Sequence, residues 1–155
     1  MADFNATKGG TNANSYATVD EADDFFELDY SADEWATLSD TIKEKLLATA
    51  TRQIDRLKVA FDKADSTQAL KFPVDNTDDG FEAVKQACIL QAFYLYRNSG
   101  EIHEAQRNAI AGVKAESLGQ VSREMTGFNH FGILDAAALD KIRPFIDLTL
   151  KAQRG

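Results

Sequence analysis

Few residues of this chain have the type and spacing that catalysis or metal binding requires. His103 and Glu104 begin the zinc-protease pattern, but Arg107 stands where the second histidine ligand is needed. His130 has no neighbouring carboxylate that spacing identifies as its partner. Both histidines are interpreted as exposed or structurally satisfied side chains, and we predict no enzyme activity, no catalytic residue and no metal ligand.

The acidic segment 75–80 has part of the ligand spacing of a calcium-binding EF-hand loop. Asp75, Thr77 and Asp79 occupy the first, third and fifth positions and Gly80 the sixth, as the loop requires. Gln86 stands where a bidentate glutamate is needed. An acidic turn before a helix is therefore the better interpretation.

The only cysteine, Cys88, lies in the most apolar segment of the chain, where burial keeps a thiol protonated and inert. A single cysteine excludes an intramolecular disulfide. With 44% apolar and 27% charged residues in 155, the composition predicts one soluble domain, intracellular or carried in a virion. No apolar run approaches the roughly 20 residues of a membrane span, residues 1–11 do not resemble a secretory signal, and no cofactor motif is present.

Charge is distributed unevenly along the chain. Residues 1–40 hold ten acidic groups and one basic group, Lys8, whereas residues 41–155 hold sixteen basic and fifteen acidic groups. A net charge of −8 disfavours long-range attraction to phosphate backbones, which counts against a dedicated nucleic-acid binder. A local basic strip is interpreted as a solvated helix face; its members are Lys43, Lys45, Arg52 and Arg56.

The elements that position these side chains are predicted to be mainly helical. Residues 1–17 form an extended N-terminal arm, and Thr18 with Glu21 makes a capping box for a helix over 19–29. Ser31 and Glu34 open a short turn that carries Trp35. Ser39 or Asp40 caps a long helix to about residue 59, whose apolar stripe has helical spacing: Ile42, Leu46, Leu47, Ala50, Ile54 and Leu57.

The second half of the chain combines a buried helix with smaller elements. Residues 62–80 read as a loop, and a helix over 81–97 is apolar on nearly every side, which in so small a chain hints at burial by a neighbouring subunit. A polar connection over 98–111 precedes a β-hairpin over 112–126. Asp135 caps a final helix over 135–150, which Pro144 should kink, and 151–155 form a tail. One domain over 1–155 is expected, a small bundle of about four helices with an inserted β-hairpin, in which 18–97 form the helical bundle and 135–150 the C-terminal helix.

Several stretches of the chain form a recognisable series: 10–19 with its Asn-Ser-Tyr, the pattern Ala22, Asp23, Phe25 and Trp35, then 45–51, Ile54-Asp55, 68–73, 84–87 and 113–119. They resemble the small head–tail adaptor, or connector, proteins of tailed bacteriophages, a group often labelled DnaT-like single-stranded-DNA-binding proteins. The resemblance covers about residues 9–150. Two departures are that Val74, rather than arginine, follows Pro73, and that the buried helix starts with Phe81 rather than proline.

The resemblance implies a head–tail connector type of fold and a structural role. Such adaptors form rings beneath the portal, usually of twelve subunits, which join the capsid to the tail and line the DNA channel. The implied partners are the portal protein, a tail-proximal neck or tail-terminator protein, further copies of this chain, and genome DNA that passes without specific binding. No membrane partner is implied, and the implied location is the virion neck, after assembly in the host cytoplasm.

Two sets of contact residues follow from the resemblance. In related adaptors the C-terminal segment reaches the portal. An equally good interpretation of the same residues is a helix end, where cations in the last turn interact favourably with the helix dipole. The portal candidates are Arg143, Leu148, Leu150, Lys151 and Arg154. The inter-subunit candidates are Tyr16, Phe93, Tyr94, Tyr96, Lys114, Glu116 and Arg123.

Two other functions remain open at this point. The first is a single-stranded-DNA-binding accessory protein, in which basic residues interleaved with aromatic residues would neutralise and stack the strand. The aromatic residues here mostly have core-like helical spacing, which favours packing over stacking. The second is an α-helical interaction domain with neither role.

Overall fold

The structure, a computed structural model, describes residues 3–75, 80–110, 115–118, 121–124 and 134–147, with the backbone alone described over 100–124. It is mainly α-helical, which confirms the predicted fold class. The helices are α1 (Val19–Phe26), α2 (Asp33–Ala36), α3 (Asp40–Asp55), α4 (Phe81–Ile110) and α5 (Ala136–Ile142), with 3₁₀ turns at Tyr30–Ala32 and Arg143–Phe145. The strands are β1 (Ala115–Leu118) and β2 (Val121–Glu124).

The start of α1 has the capping box that its sequence predicts. The backbone N–H of Glu21 donates to the Thr18 hydroxyl, and the Glu21 carboxylate accepts from the Thr18 backbone N–H at 2.8 Å. Two otherwise unpaired N–H groups of the first turn are thereby satisfied. The helix ends at Phe26, three residues before the predicted end.

The turn before Trp35 is capped by a different residue from the one predicted. Asp29, rather than Ser31, caps the 3₁₀ turn, since its Oδ1 accepts from the backbone N–H of Ser31. The following helix, α2, has no side-chain cap, so the expected pairing of Ser31 with Glu34 does not form. A single turn nevertheless delivers Trp35 into the core, where it is 1% exposed.

The long helix α3 buries a narrower face than its apolar stripe predicts. Leu47, Ala50 and Ile54 are buried, but Ile42 is 44% exposed. Lys43 takes the place of Ile42 on the inner side, where it meets a carboxylate of α1. The helix ends at Asp55, four residues before the predicted end.

The loop after α3 is held together by one buried amide. The Gln68 side chain donates to the carbonyl oxygens of Leu70 and Pro73, both at 2.9 Å, and accepts from the backbone N–H of Asp65 at 3.1 Å. Phe72 is buried beneath the loop, and the Phe72–Pro73 peptide bond is cis. These contacts explain why segment 68–73 contains Gln68 and Phe72: the first holds the loop together and the second packs beneath it.

The central helix α4 is longer than predicted, but its burial agrees with its apolar composition. It runs to Ile110 across a kink at Asn98, so the predicted polar connection over 98–111 is helical as far as residue 110. Its inner residues Cys88, Gln91 and Ala92 are completely buried. The chain's own α3 and α5 cover it, so a neighbouring subunit is not needed to explain its composition. Among the described residues, no helix is long and apolar enough to cross a membrane.

The last described elements are two short strands and a broken helix. β1 and β2 pair antiparallel within the segment 112–126, with Glu116 opposite Arg123. Asp135 caps α5 through the backbone N–H groups of Ala137 and Ala138. The α-helix stops at Ile142, and Pro144 lies in a 3₁₀ turn, as expected for a residue without an N–H. Residues 148–155 of the predicted helix and tail lie outside the described residues.

The predicted N-terminal arm is folded against the bundle instead of standing apart from it. Two hydrogen bonds between Asn5 and Asn14 hold it in a hairpin-like shape. The backbone N–H of Asn5 donates to Asn14 Oδ1 at 2.9 Å, and the backbone N–H of Asn14 donates to the Asn5 carbonyl at 2.8 Å. Tyr16 is 1% exposed, and its backbone N–H donates to Thr51 of α3. The polar composition of the arm did not predict this packing. The Asn14 side chain makes hydrogen bonds within the segment that a helix or strand would make between backbone groups.

Candidate functional site

Many cations of the described residues already have partners within the chain. Lys43 pairs with Asp23 at 2.8 Å, and Lys85 pairs with Glu21 at 2.8 Å and Glu82 at 2.9 Å. Other lysines bind a carboxylate or backbone oxygens: Lys58 with Asp147, Lys63 with the carbonyls of Gln68 and Ala69, and Lys71 with the Leu57 carbonyl. These lysines therefore form ion pairs and hydrogen bonds within the folded chain.

The pair between α1 and α4 is the clearest electrostatic link. Burial favours the neutral form of Glu21, but the hydrogen bonds from Lys85 and Thr18 outweigh it and lower the pKa of this carboxyl group. The hydrogen bond to Glu21 likewise raises the pKa of Lys85. Both groups are charged at neutral pH, so this lysine is committed to the chain's own carboxylates.

Most aromatic rings are also committed to the core. Phe26 lies 5.3 Å from Trp35 and 5.1 Å from Phe93, measured between ring centroids, and Tyr16 meets the edges of Phe72 and Phe81. A ring that stacks on a base needs a free face. The exposed exceptions among the described residues are Tyr30, at 94%, and Phe61, at 40%.

Tyr16, one of the inter-subunit candidates, is a core residue. Its hydroxyl donates to Asp55, and burial together with that carboxylate raises its pKa far above the ordinary value. The same Asp55 oxygen accepts from the backbone N–H of Lys71 at 2.7 Å. Tyr16 thus joins the N-terminal segment to α3 and the loop within one chain, and its side chain leaves almost no surface for a neighbour.

Three further candidates lie together on α4. Phe93 and Tyr94 line an open depression of about 420 Å³, with Arg97 and Asp135 at its edge. Tyr96 stacks on Phe93, and the Arg97 guanidinium lies 5.4 Å from the Phe93 ring centroid. Phe93 is 8% exposed, whereas Tyr94 and Tyr96 are half-buried, so the two tyrosines offer the larger surface.

The remaining candidates are only partly described. Glu116 and Arg123 are partners in the backbone register of β1 and β2, and Lys114 lies outside the described residues. Of the portal candidates, Arg143 is exposed in the 3₁₀ turn after α5. The others lie outside the described residues: Leu148, Leu150, Lys151 and Arg154.

One surface was missed by sequence reasoning. Leu28 and Tyr30 are 97% and 94% exposed beside the acidic end of α1. Spacing gave no signal for this exposure, because Leu28 follows Phe25 by three residues and Tyr30 follows Phe26 by four, as on one helix face. The basic helix face that the sequence predicts is exposed at Lys45, Arg52 and Arg56, but its fourth member, Lys43, is buried.

Next to the exposed turn lies an acidic cleft of about 470 Å³. Trp35 and Lys43 form part of its wall, and Asp24, Glu27 and Asp33 stand around it. Carboxylates at this density repel phosphate. This end of the molecule is therefore unsuited to nucleic acid and better suited to a cationic surface.

Together these features define a small helical domain with a closed core, an acidic end and a basic helix face. The chain belongs to the family described as "Putative DnaT-like ssDNA binding protein", which it matches over residues 4–146. No curated protein and no solved structure matches it.

Proposed function

We propose that this protein is a structural head–tail adaptor of a tailed-phage virion. It forms a ring beneath the portal, joins the capsid to the tail and lines the channel through which the genome passes. The portal protein, a tail-proximal neck or tail-terminator protein and further copies of the chain are its partners. The protein acts without catalysis or a cofactor.

The observation that carries the proposal is how the described cations and rings are used. A strand-binding surface needs cations for the phosphates and free rings for the bases. Here lysines such as Lys43 and Lys85 pair with carboxylates, and rings such as Trp35 and Phe93 pack in the core. A protein beside moving DNA benefits from this arrangement, because strong phosphate binding would hinder passage.

Single-strand binding is the second candidate, favoured by the family description and by the outer side of α3. Lys45, Arg52 and Arg56 could neutralise phosphates there, but α3 contains no aromatic residue on which bases could stack. Such binding would rest on charge alone and would weaken steeply as salt rises.

The two functions are separated by one pair of measurements. Light scattering gives the mass of the protein with and without the cognate portal ring, and a fluorescent oligothymidine titration in the same buffer gives strand affinity. Stoichiometric capture on the portal without strand binding is expected. A protein that ignores the portal and binds the strand, more weakly at high salt, overturns the adaptor proposal.

A matched pair of charge reversals tests the contact residues. Arg143 and Lys141 are exposed cations two residues apart, but only Arg143 is a portal candidate. Arg143→Glu is expected to weaken portal capture at least about tenfold, which corresponds to about 1.4 kcal/mol. Lys141→Glu should leave capture within about threefold of the unchanged protein. Equal effects of the two reversals would remove Arg143 from the contact.

A further inference from the structure

The turn between α1 and α2 carries two large apolar side chains that the chain leaves in solvent. Leu28 is 97% exposed and Tyr30 is 94% exposed, whereas Phe26 just before them is buried. Exposed apolar side chains scattered singly are common, but two nearly fully exposed ones on one turn offer a contact surface. We call residues 28–30 the Leu28/Tyr30 turn.

Hydrogen bonds hold this turn in one shape. Asp29 Oδ1 accepts from the backbone N–H of Ser31 at 2.9 Å and from its hydroxyl at 2.7 Å. The backbone N–H groups of Asp29 and Ala32 donate to the carbonyls of Phe26 and Asp29, each at 3.0 Å. A surface that is already ordered loses less entropy when it binds, so the turn is preorganised for contact.

The chain on both sides of the turn is acidic, and one cation, Arg97 of α4, lines the same depression as Asp29 and Ser31. Four exposed carboxylates lie near it in the sequence: Asp24, Glu27, Asp33 and Glu34. Residues 20–42 contain no lysine or arginine. The hydrogen bonds from Ser31 lower the pKa of Asp29, so it too is charged at neutral pH. The chemistry that fits this surface is an apolar contact flanked by cations.

Such a surface exists on the same chain. Lys45, Arg52 and Arg56 are exposed on α3, together with Ile42, which is 44% exposed; we call these four residues the α3 outer face. At about 100° per residue, they lie on the side of α3 opposite Leu47, Ala50 and Ile54. The other positions on that side are Thr41, Ala48, Thr49 and Gln53, so no carboxylate interrupts it.

The two surfaces do not meet within one chain. The contact of α1 with α3 is made on the inner side of α3, where Lys43 binds Asp23 at 2.8 Å. The α3 outer face points away from that contact, on the opposite side of the helix. Complementary surfaces that face different directions on one molecule can be joined only between two copies.

We infer that the Leu28/Tyr30 turn of one copy docks on the α3 outer face of the next. Leu28 and Tyr30 contact Ile42 and the aliphatic stems of the cations, and the acidic surroundings face Lys45, Arg52 and Arg56. This contact is heterologous, so its repetition builds a closed ring or an open fibre. The inference rests on the proposed function for the expectation that copies assemble, and it names the surfaces that would join them.

Sedimentation velocity of the full chain tests this contact without the portal. Wild-type protein at about 100 µM should form species larger than a monomer at low salt, and these should decrease as salt screens the charges. Leu28→Ser/Tyr30→Ser and Lys45→Glu/Arg52→Glu/Arg56→Glu should each be monomeric. Phe61→Ser, which removes another exposed ring, is the matched control and should associate as the wild type does. Circular dichroism shows that each variant is folded.

Mixing the two monomeric variants gives the decisive result. The first variant retains its α3 outer face and the second retains its turn, so one contact can form and then no further one. A heterodimer that grows no larger is expected. A monomeric wild type, oligomers that survive either set of substitutions, or a mixture without heterodimer overturns the inference.

The experiment also separates this inference from the adaptor proposal. Self-association through these surfaces with no portal capture would leave the inference standing while the adaptor function fails. Portal capture by a wild type that never self-associates would overturn the inference and leave the adaptor function standing. Oligothymidine binding that the α3 substitutions abolish, in a protein that stays monomeric, would assign the face to nucleic acid and overturn the inference.

Discussion

Lys43 and Asp23 form an ion pair in which the cation is buried and the carboxylate is not. Lys43 Nζ lies 2.8 Å from Asp23 Oδ1, with side-chain exposures of 6% for the lysine and 42% for the aspartate. The same oxygen accepts from Trp35 Nε1 at 2.8 Å. One carboxylate of α1 thus neutralises a cation of α3 and satisfies the indole of α2.

This asymmetry predicts unequal effects of removing the two partners. Asp23→Ala leaves a buried ammonium and a buried indole N–H without their acceptor, and we expect it to lower the free energy of unfolding by about 2–3 kcal/mol. Lys43→Met leaves a carboxylate that water can reach and retains apolar volume, so about 1 kcal/mol is expected. Urea unfolding measures both.

Asp23→Asn is the matched control for the charge. It retains an oxygen acceptor for Trp35 but removes the negative charge opposite Lys43, so its cost should fall between those of the two other variants. If Lys43→Met were the most destabilising of the three, the lysine would act mainly through its cation–π contact with Trp35, whose ring centroid lies 5.8 Å from Nζ.

The Glu21–Lys85 pair predicts a stability loss in acid. The pKa of Glu21 is lowered in the folded chain, so its contribution is present above the ordinary pKa and is lost as the pH falls through the folded value. Glu21→Gln should therefore lower stability at neutral pH and flatten its dependence between about pH 5 and pH 3. Urea midpoints across that range measure the effect.

Glu82→Gln is the control for this prediction. Glu82 also lies 2.9 Å from Lys85, but its side chain is 70% exposed and it does not take part in the capping box. We expect a smaller change than for Glu21→Gln. An equal change would show that the charge alone, and not the link to the start of α1, carries the effect.

The pKa of Lys85 predicts the opposite behaviour in alkali. It is raised in the folded chain, so its contribution is present below the ordinary pKa and is lost as the pH rises through the folded value. The raised pKa of Tyr16 acts in the same direction, since the unfolded chain releases the phenol proton first. Tyr16→Phe should reduce the stability loss above about pH 10, measured by urea midpoints; an unchanged alkaline profile would contradict it.

Cys88 is predicted to be unreactive until the chain opens. Burial raises the pKa of its thiol to about 11, and its sulfur lies 3.3 Å from the Thr51 hydroxyl. We expect an aromatic disulfide reagent to label the native protein at least about 100-fold more slowly than the urea-unfolded chain. Cys88→Ala/Thr41→Cys, which moves the thiol to an exposed position, should be labelled quickly when folded. Rapid labelling of the native wild type would contradict the burial.

Gly80 is predicted to tolerate no side chain. Its φ is +61°, and a Cβ there would overlap the ring of Phe145. We expect Gly80→Ala to cost about 3 kcal/mol, from left-handed backbone strain and overpacking together. Gly9 has a similar φ of +67°, but a Cβ there would make only an ordinary contact with Pro73 at 3.9 Å, so Gly9→Ala should cost only about 1 kcal/mol by the same urea measurement. Equal costs would show that the ring contact does not matter.

Local patterns predicted most of the individual elements. Thr18 with Glu21, Asp135 and Pro144 each act within a few residues of themselves, so their effects on helix starts and ends follow from sequence. The same holds for the burial of α4, because a run of apolar side chains must be covered by something.

Longer-range relations could not be read from the sequence. Helix lengths were predicted wrongly, as at Asn98, where α4 continues after a kink. The polar N-terminal segment gave no periodic signal, although Tyr16 reaches Asp55 across 39 positions. The inter-subunit candidates came from a resemblance, which does not specify that Tyr16 is enclosed by its own chain.

The sequence by itself determined a mainly helical chain with an acidic first quarter and a buried central helix, since composition and period follow from local chemistry. Only the tertiary structure decided which charges are used internally and which remain exposed. Lys43 and Lys45 look alike in the sequence, yet one is buried against Asp23 and the other faces solvent. Two residues along a helix turn a side chain by about 200°, so the packed side of α3 decides which cation serves the fold and which is left for a partner.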